Sequence, residues 1–253
     1  MSVRYSLIVP YFRTPEITRF SLHSIFKFCR GNAEVVVVNN DPNDPGSRML
    51  AEFPRIKLVN NPTPARGSLA NFEALDLGLR HASRDLVGLL HSDTIFLKEG
   101  WDLEWFGRLE SENLAALGTF EREANPFRPW RKKIRDHWNH LRHDTRPAVS
   151  MGKLMLFWLL TRKSTLQKLD FNFVREGHLT SQRLADQHNG MEVLSCRQIS
   201  RFMWHTSDVT SVVTGQMNDP ASIKSFNAKR QQFINHPLIR KHFSEVLGGR
   251  GIG

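Results

Sequence analysis

Two cysteines, Cys29 and Cys196, are all that the 253 residues contain, which speaks against a disulfide-stapled fold and makes free thiols the expectation. Long apolar runs are missing too. The longest, Leu154–Leu160, is far short of the ~20 residues that a membrane span requires. The first residues carry one early arginine and then the strand-like Tyr5–Val9, with no apolar signal-peptide core. A cytoplasmic location is therefore expected, and peripheral attachment at the inner membrane face is compatible with it. There is no low-complexity tract and no internal repeat. The first strand lacks a glycine-rich phosphate turn: Tyr11-Phe12-Arg13-Thr14-Pro15 follows it, which speaks against a dinucleotide-binding dehydrogenase. Acids are in deficit, with 25 Asp and Glu against 35 Lys and Arg, a formal charge of +10. That surplus favours an anionic partner (a diphosphate, an acidic membrane surface or nucleic acid) without choosing among them.

What is present reads as alternating strands and helices. Ser6–Pro10 is a first strand. Thr14-Pro15-Glu16 then opens a helix, with a cap residue, proline in the first turn and an acid at the positive end. Gly31 is its expected stop. Val35–Val38, four valines in a row, has the composition of a parallel strand buried on both faces. A short helix over Ser47–Phe53, a strand over Ile56–Val59, a loop over Asn60–Gly67 and a helix over Leu69–His81 capped by Ser68 follow. The apolar Leu86–Leu90 is a fourth strand and ends abruptly in His91-Ser92-Asp93-Thr94. This order implies a parallel sheet with right-handed crossovers. Its carboxyl edge collects four loops, Tyr11–Thr14, Asn39–Asp44, Asn61–Gly67 and His91–Thr94, where open α/β sheets bind ligands. Later elements are a helix over Trp101–Leu109, strands over Leu114–Phe120 and Leu154–Thr161, and a short helix over Ser164–Leu169. A helix or loop-helix over Arg175–Asn189 and segments Val193–Ile199 and Arg201–His205 complete the pattern.

The motifs at that edge resemble those of GT-A fold glycosyltransferases, and within them the inverting family-2 type, over residues 4–210. The opening strand that ends in proline and two aromatics is matched by Val9-Pro10-Tyr11-Phe12. A second strand ending in a polar cluster is matched by Val38-Asn39-Asn40-Asp41-Pro42-Asn43-Asp44. The family's Gly-x-x-x-Asn helix is matched by Gly67–Asn71, and its Asp-x-Asp strand end in part by His91–Asp93. Glu176, Arg183, Gly190 and His205 follow in the family's order. Three positions depart from it. Asn39 stands where a base-reading aspartate is usual, His91 replaces the first acid of the metal motif, and Gly177 replaces the second of an acidic pair.

The resemblance implies an α/β, Rossmann-like, mostly parallel sheet flanked by helices. Residues 1–120 would form its nucleotide-sugar half, 121–150 a basic insertion, 151–215 the acceptor half and 216–253 a helical tail. It implies transfer of a sugar from a nucleoside diphosphate, UDP favoured, with a divalent ion, Mn²⁺ or Mg²⁺, offsetting the charge of the leaving diphosphate. Asp93 and His205 are the expected metal ligands, with His91 as a third candidate; a histidine suits Mn²⁺ better than Mg²⁺. Pro10, Tyr11, Phe12, Arg13, Asn39, Asp41, Arg66, Gly67, Asn71, His91 and Ser92 are the expected donor-binding residues. An inverting transfer needs a base for the acceptor proton. Glu176 is the expected base; Asp170, Asp186 and His178 are the alternatives. The acceptor class rests on Arg128–Arg146, which holds seven Lys or Arg, three His and two Trp against two Asp. An amphipathic basic segment suits an anionic membrane surface and a lipid-linked or cell-envelope glycan. Arginines on phosphates with tryptophans on bases would suit modified DNA instead. A silent nucleotide-sugar scaffold is the non-enzymatic alternative.

Overall fold

The computed structural model describes residues 3–120, 154–187, 190–205 and 218–248. The basic segment 128–146, the bulk of the expected insertion, lies outside the described residues, as does the glycine-rich end of the tail. β1 (Arg4–Tyr11), β2 (Asn32–Asn39), β3 (Ile56–Asn60) and β4 (Leu86–Leu90) are mutually parallel, as the sequence pattern requires. They belong to a seven-stranded sheet of order β3-β2-β1-β4-β7-β6-β8. In it β7 (Leu154–Arg162) runs antiparallel between β4 and β6 (Ala116–Phe120), and β8 (Met191–Val193) lies parallel to β6.

Both faces of the sheet are covered, and the strands alternate between two cores. Val35 and Val37 face one, with Tyr5, Leu7 and Val9; Val36 and Val38 face the other, with Ile8. The first core takes α1 (Pro15–Phe28), α3 (Trp101–Ser111) and the C-terminal helices α8 (Pro220–Asn235) and α9 (Pro237–Gly248) through Phe20, Ile25, Trp101, Phe106, Phe233 and Phe243. Opposite lie α2 (Gly67–His81), α4 (Lys163–Lys168), α5 (Phe173–Glu176) and α6 (Thr180–Ala185), through Ala74, Leu75, Leu166, Phe173 and Leu184. A run of apolar residues with no polar face is thus what a central parallel strand needs.

Local expectations fail where tertiary contacts claim the residue. α1 ends at Phe28 with Cys29 extended, so Gly31 does not cap it. Gly31 is small because a β-carbon there would stand 2.7 Å from the Tyr5 ring and 2.9 Å from the Val3 carbonyl. Its N–H and the Tyr5 hydroxyl both donate to the buried Asp102 carboxylate, at 2.6 and 2.5 Å. α2 begins at Gly67 with Arg66 as its cap, which places Ser68 inside the first turn. Pro45–Glu52 is a 3-10 helix, not an α-helix. The segment 175–189, expected as a helix or loop-helix, holds over its described residues the end of α5, a 3-10 turn at Gly177–Leu179, and α6. Val193–Ile199 divides between the end of β8 and a short helix, α7 (Cys196–Ile199).

One element was hidden altogether. Thr94–Phe96 is a strand, β5, which pairs antiparallel with β9 (Met203–His205) in a separate two-stranded sheet. In it Thr94 lies opposite His205.

Candidate active site

The carboxyl ends of β1, β2, β3 and β4 share one edge of the sheet, and the four expected loops leave from it. The first and fourth loops touch: Thr14 Oγ1 lies 3.3 Å from Ser92 Oγ and 3.2 Å from Thr18 Oγ1. Thr14 does occupy the N-cap position of α1, but its side chain makes no cap hydrogen bond. It is turned to the loop contact instead.

Around the end of β4 three ligating side chains converge. Asp93 Oδ1 lies 3.1 Å from His205 Nε2 and 4.0 Å from His91 Nδ1. One ligand atom from each residue lies within 4.8 Å of the others. The arrangement is held from behind. Phe157 of β7 stacks on the His205 ring, 4.1 Å between centroids and 13° between planes. The Phe157 carbonyl accepts the Thr94 hydroxyl at 2.8 Å and the His91 backbone N–H at 3.2 Å. Sequence reasoning missed Phe157 because, within Leu154–Leu160, it cannot be told from a core residue.

The chemistry of this set fits a metal. His205 Nε2 is buried and stands 3.1 Å from the Asp93 carboxylate, so a ligating nitrogen faces a ligating oxygen. Desolvation lowers the His91 pKa; the Asp93 carboxylate opposes the shift and His205 reinforces it. A neutral imidazole keeps a lone pair for an ion. The His91 side chain is 36% exposed, which leaves the cluster open to solvent on that side, while Asp93 is buried.

The expected donor-binding residues divide between supports and surface. Tyr11 is fully buried, and its hydroxyl donates to Asp44 at 2.8 Å. Burial, then Asp44, raises the phenol pKa, so it stays a donor. Pro10 is buried in β1 and Phe12 is buried just after it. Arg13, with φ +52°, pairs with Asp41 at 2.7 Å. The guanidiniums of Arg13 and Arg66 each lie 5.4 Å from the Phe12 ring centroid, so two cations share one aromatic residue at the mouth of the edge. Arg66 also donates to its own loop, including the Ala65 carbonyl at 3.0 Å. Gly67 takes φ +58°, which lets the chain turn into α2, and Asn71 lies half-buried one turn later. Asn39 is buried and its side-chain oxygen accepts the Asp41 N–H at 3.1 Å, a turn that shapes the loop. Asn40 ties that loop to α2 through the Ala70 carbonyl at 3.1 Å.

Among the candidate bases, Glu176 is the best held. Arg183 lies 3.2 Å from one of its oxygens and Arg175 3.6 Å from the other. Asp170 has 95% of its side chain exposed, in a turn with φ +48°, and Asp186 is exposed at the end of α6. The His178 side chain lies outside the described residues. The turn that carries Glu176 is fastened to α2. Asp76 accepts the N–H groups of Phe173 and Val174 at 2.9 and 3.1 Å, while Asn172 accepts that of Arg175 at 3.0 Å. Next to Glu176, Gly177 packs on the Phe72 ring, where a β-carbon would come within 2.5 Å. A second carboxylate of the family pattern would here have to displace the Phe72 ring. Phe72 lies in the second turn of α2, so the turn that carries Glu176 packs against that helix.

A family model described as Glycosyl transferase family 2 matches residues 6–165. No curated protein sequence matches. Several solved structures are similar to the chain. TarS from S. aureus, residues 1–349, is 15% identical, with a TM-score of 0.57 over 97% of this chain and 69% of that one. Its complex with UDP-GlcNAc is 14% identical, with a TM-score of 0.58 over 98% and 71%. The mannosyltransferase PcManGT from Pyrobaculum calidifontis, in complex with GDP-Man and Mn²⁺, is 16% identical, with a TM-score of 0.56 over 98% and 75%. These likenesses establish the shared fold.

Proposed function

The chain belongs to glycosyl transferase family 2, and from that membership we propose that it is an inverting, metal-assisted enzyme that moves a sugar from a nucleoside diphosphate to a glycan or lipid-linked saccharide of the cell envelope. The observation that carries the reading is the meeting of Asp93, His205 and His91 at the carboxyl edge of four parallel strands. Solved structures of the same fold bind UDP-GlcNAc or GDP-Man with Mn²⁺.

The loops that follow β1 and β2, with Arg13 and the Asn39–Asp41 turn, form the base-binding side, and Arg13 and Arg66 meet the diphosphate. Glu176 takes the proton of the acceptor hydroxyl as its oxygen attacks the anomeric carbon from the face opposite the diphosphate. The bond from that carbon to the phosphate oxygen breaks, and its electron pair leaves with the nucleotide. A divalent ion held by Asp93 and His205 would supply charge neutralisation for the departing diphosphate. The two arginines paired with Glu176 keep its carboxylate in one orientation. The net charge of +10 suits an anionic acceptor.

The test is turnover with UDP-, dTDP- and GDP-sugars against lipid-linked and anionic glycan acceptors, read as nucleoside diphosphate release and as the anomeric configuration of the product. Asp93→Asn should cut turnover by about 100-fold or more. A near-normal rate in that variant would assign charge neutralisation to the arginines alone. A retained anomeric configuration, or a glycosylated DNA product, would overturn the stereochemistry or the acceptor class.

A further inference from the structure

We propose that His91 turns the Asp93–His205 pair into a three-ligand protein site that loads a transition ion, Mn²⁺ foremost, before any nucleotide arrives, and that disfavours Mg²⁺. The inference deepens the donor-site reading above and rests on it.

Three observations carry it. The ligand atoms stand close to coordinating separations. Two donors each about 2.1 Å from one ion lie roughly 3–4 Å apart, the separations from Asp93 Oδ1 are 3.1 and 4.0 Å, and all three ligand atoms lie within 4.8 Å of one another. The His205 ring is also fixed independently of any ligand, between the β5 pairing and the Phe157 ring, and the His91 backbone is tied to the Phe157 carbonyl. A preset site avoids the ordering cost of assembling its ligands on binding. Finally, the donor set has two imidazoles and one carboxylate. Mg²⁺ demands oxygen ligands and keeps its waters, whereas imidazole suits first-row transition ions. An acid in place of His91 would make the set richer in oxygen and more negative. The exposed side of His91 leaves room for further ligands, the diphosphate oxygens among them.

The experiment uses the full chain, stripped with EDTA and free of nucleotide. MnCl₂ is titrated while the paramagnetic resonance of unbound Mn²⁺ is followed, and MgCl₂ and ZnCl₂ are titrated by calorimetry. One Mn²⁺ should bind without nucleotide, Zn²⁺ at least as tightly, and Mg²⁺ at least about tenfold more weakly. His91→Ala should weaken Mn²⁺ binding by about tenfold or more, and His91→Asp should narrow the gap between Mn²⁺ and Mg²⁺. Melting curves in EDTA that match the parent exclude misfolding of either variant. Mn²⁺ binding that appears only with UDP present, that survives His91→Ala, or that Mg²⁺ equals would overturn the proposal. A protein that binds UDP-sugar yet takes no ion alone keeps the glycosyltransferase reading and loses this one. A protein that binds Mn²⁺ but no nucleotide sugar does the reverse.

Discussion

Gly177 is decided by what stands beside it. Its backbone is ordinary helical geometry, with φ −54°, so the glycine is not there for conformational freedom. It is there because the Phe72 ring occupies the place of a side chain. Gly177→Ala should destabilise the protein by about 1–3 kcal/mol through overpacking and lower turnover by shifting Glu176. In the Phe72→Ala background most of the Gly177→Ala penalty should vanish, as a double-mutant cycle of melting temperatures would show; additive losses would count against the contact. The sequence shows the glycine and the missing acid. It cannot show the ring, which comes from a helix about a hundred residues earlier.

Asp76 acts at the level of elements. A single turn such as α5 has too few internal hydrogen bonds to hold itself, and its first N–H groups are met by a carboxylate from α2 as well as by Asn172. Burial raises the Asp76 pKa, and the two backbone donors oppose the shift. Asp76→Ala should therefore release the turn, cost about 1–3 kcal/mol and reduce kcat more than the affinity for nucleotide sugar. Unchanged kcat would remove Glu176 from the proposed base role or the turn from its positioning. The helix over Leu69–His81 was legible from its periodicity, but its use of Asp76 as a cap for another helix was not. β5 shows the same limit. Its three residues carry too little pattern to announce a strand, yet its pairing with β9 is what delivers His205 to Asp93.

Across the whole molecule, acid titration should report on the two carboxylates that tie strand ends to neighbouring loops. Burial pushes the Glu34 pKa up, but the Ser6 hydroxyl and the Ser83 N–H outweigh it, and the net shift is downward. Asp85 behaves likewise, through the Ser164 N–H and Arg162. A carboxylate with a lowered native pKa contributes stability that is complete above its unfolded value, about 4. That stability fades as pH falls through the native value. Melting temperatures from pH 6 to pH 3 should fall less steeply in a Glu34→Gln, Asp85→Asn double variant than in the parent, after a lower starting point at pH 6. Equal slopes would show that other groups govern acid unfolding. The Cys29 thiol is pushed up to about 12, with burial the largest cause, so it is inert across this range. No helix among the described residues is long and apolar enough to cross a membrane.

The order of strands and helices, the edge where the four loops gather and the family motifs were written in the sequence. Period and composition act over a few residues, and a strand that must be buried on both faces has to be apolar throughout. The antiparallel insertion of β7, the β5–β9 pair, the Phe157 backing of His205 and the packing of Gly177 on the Phe72 ring were settled only by folding. Each depends on atoms that lie far apart along the chain and meet only once both cores have closed around the sheet.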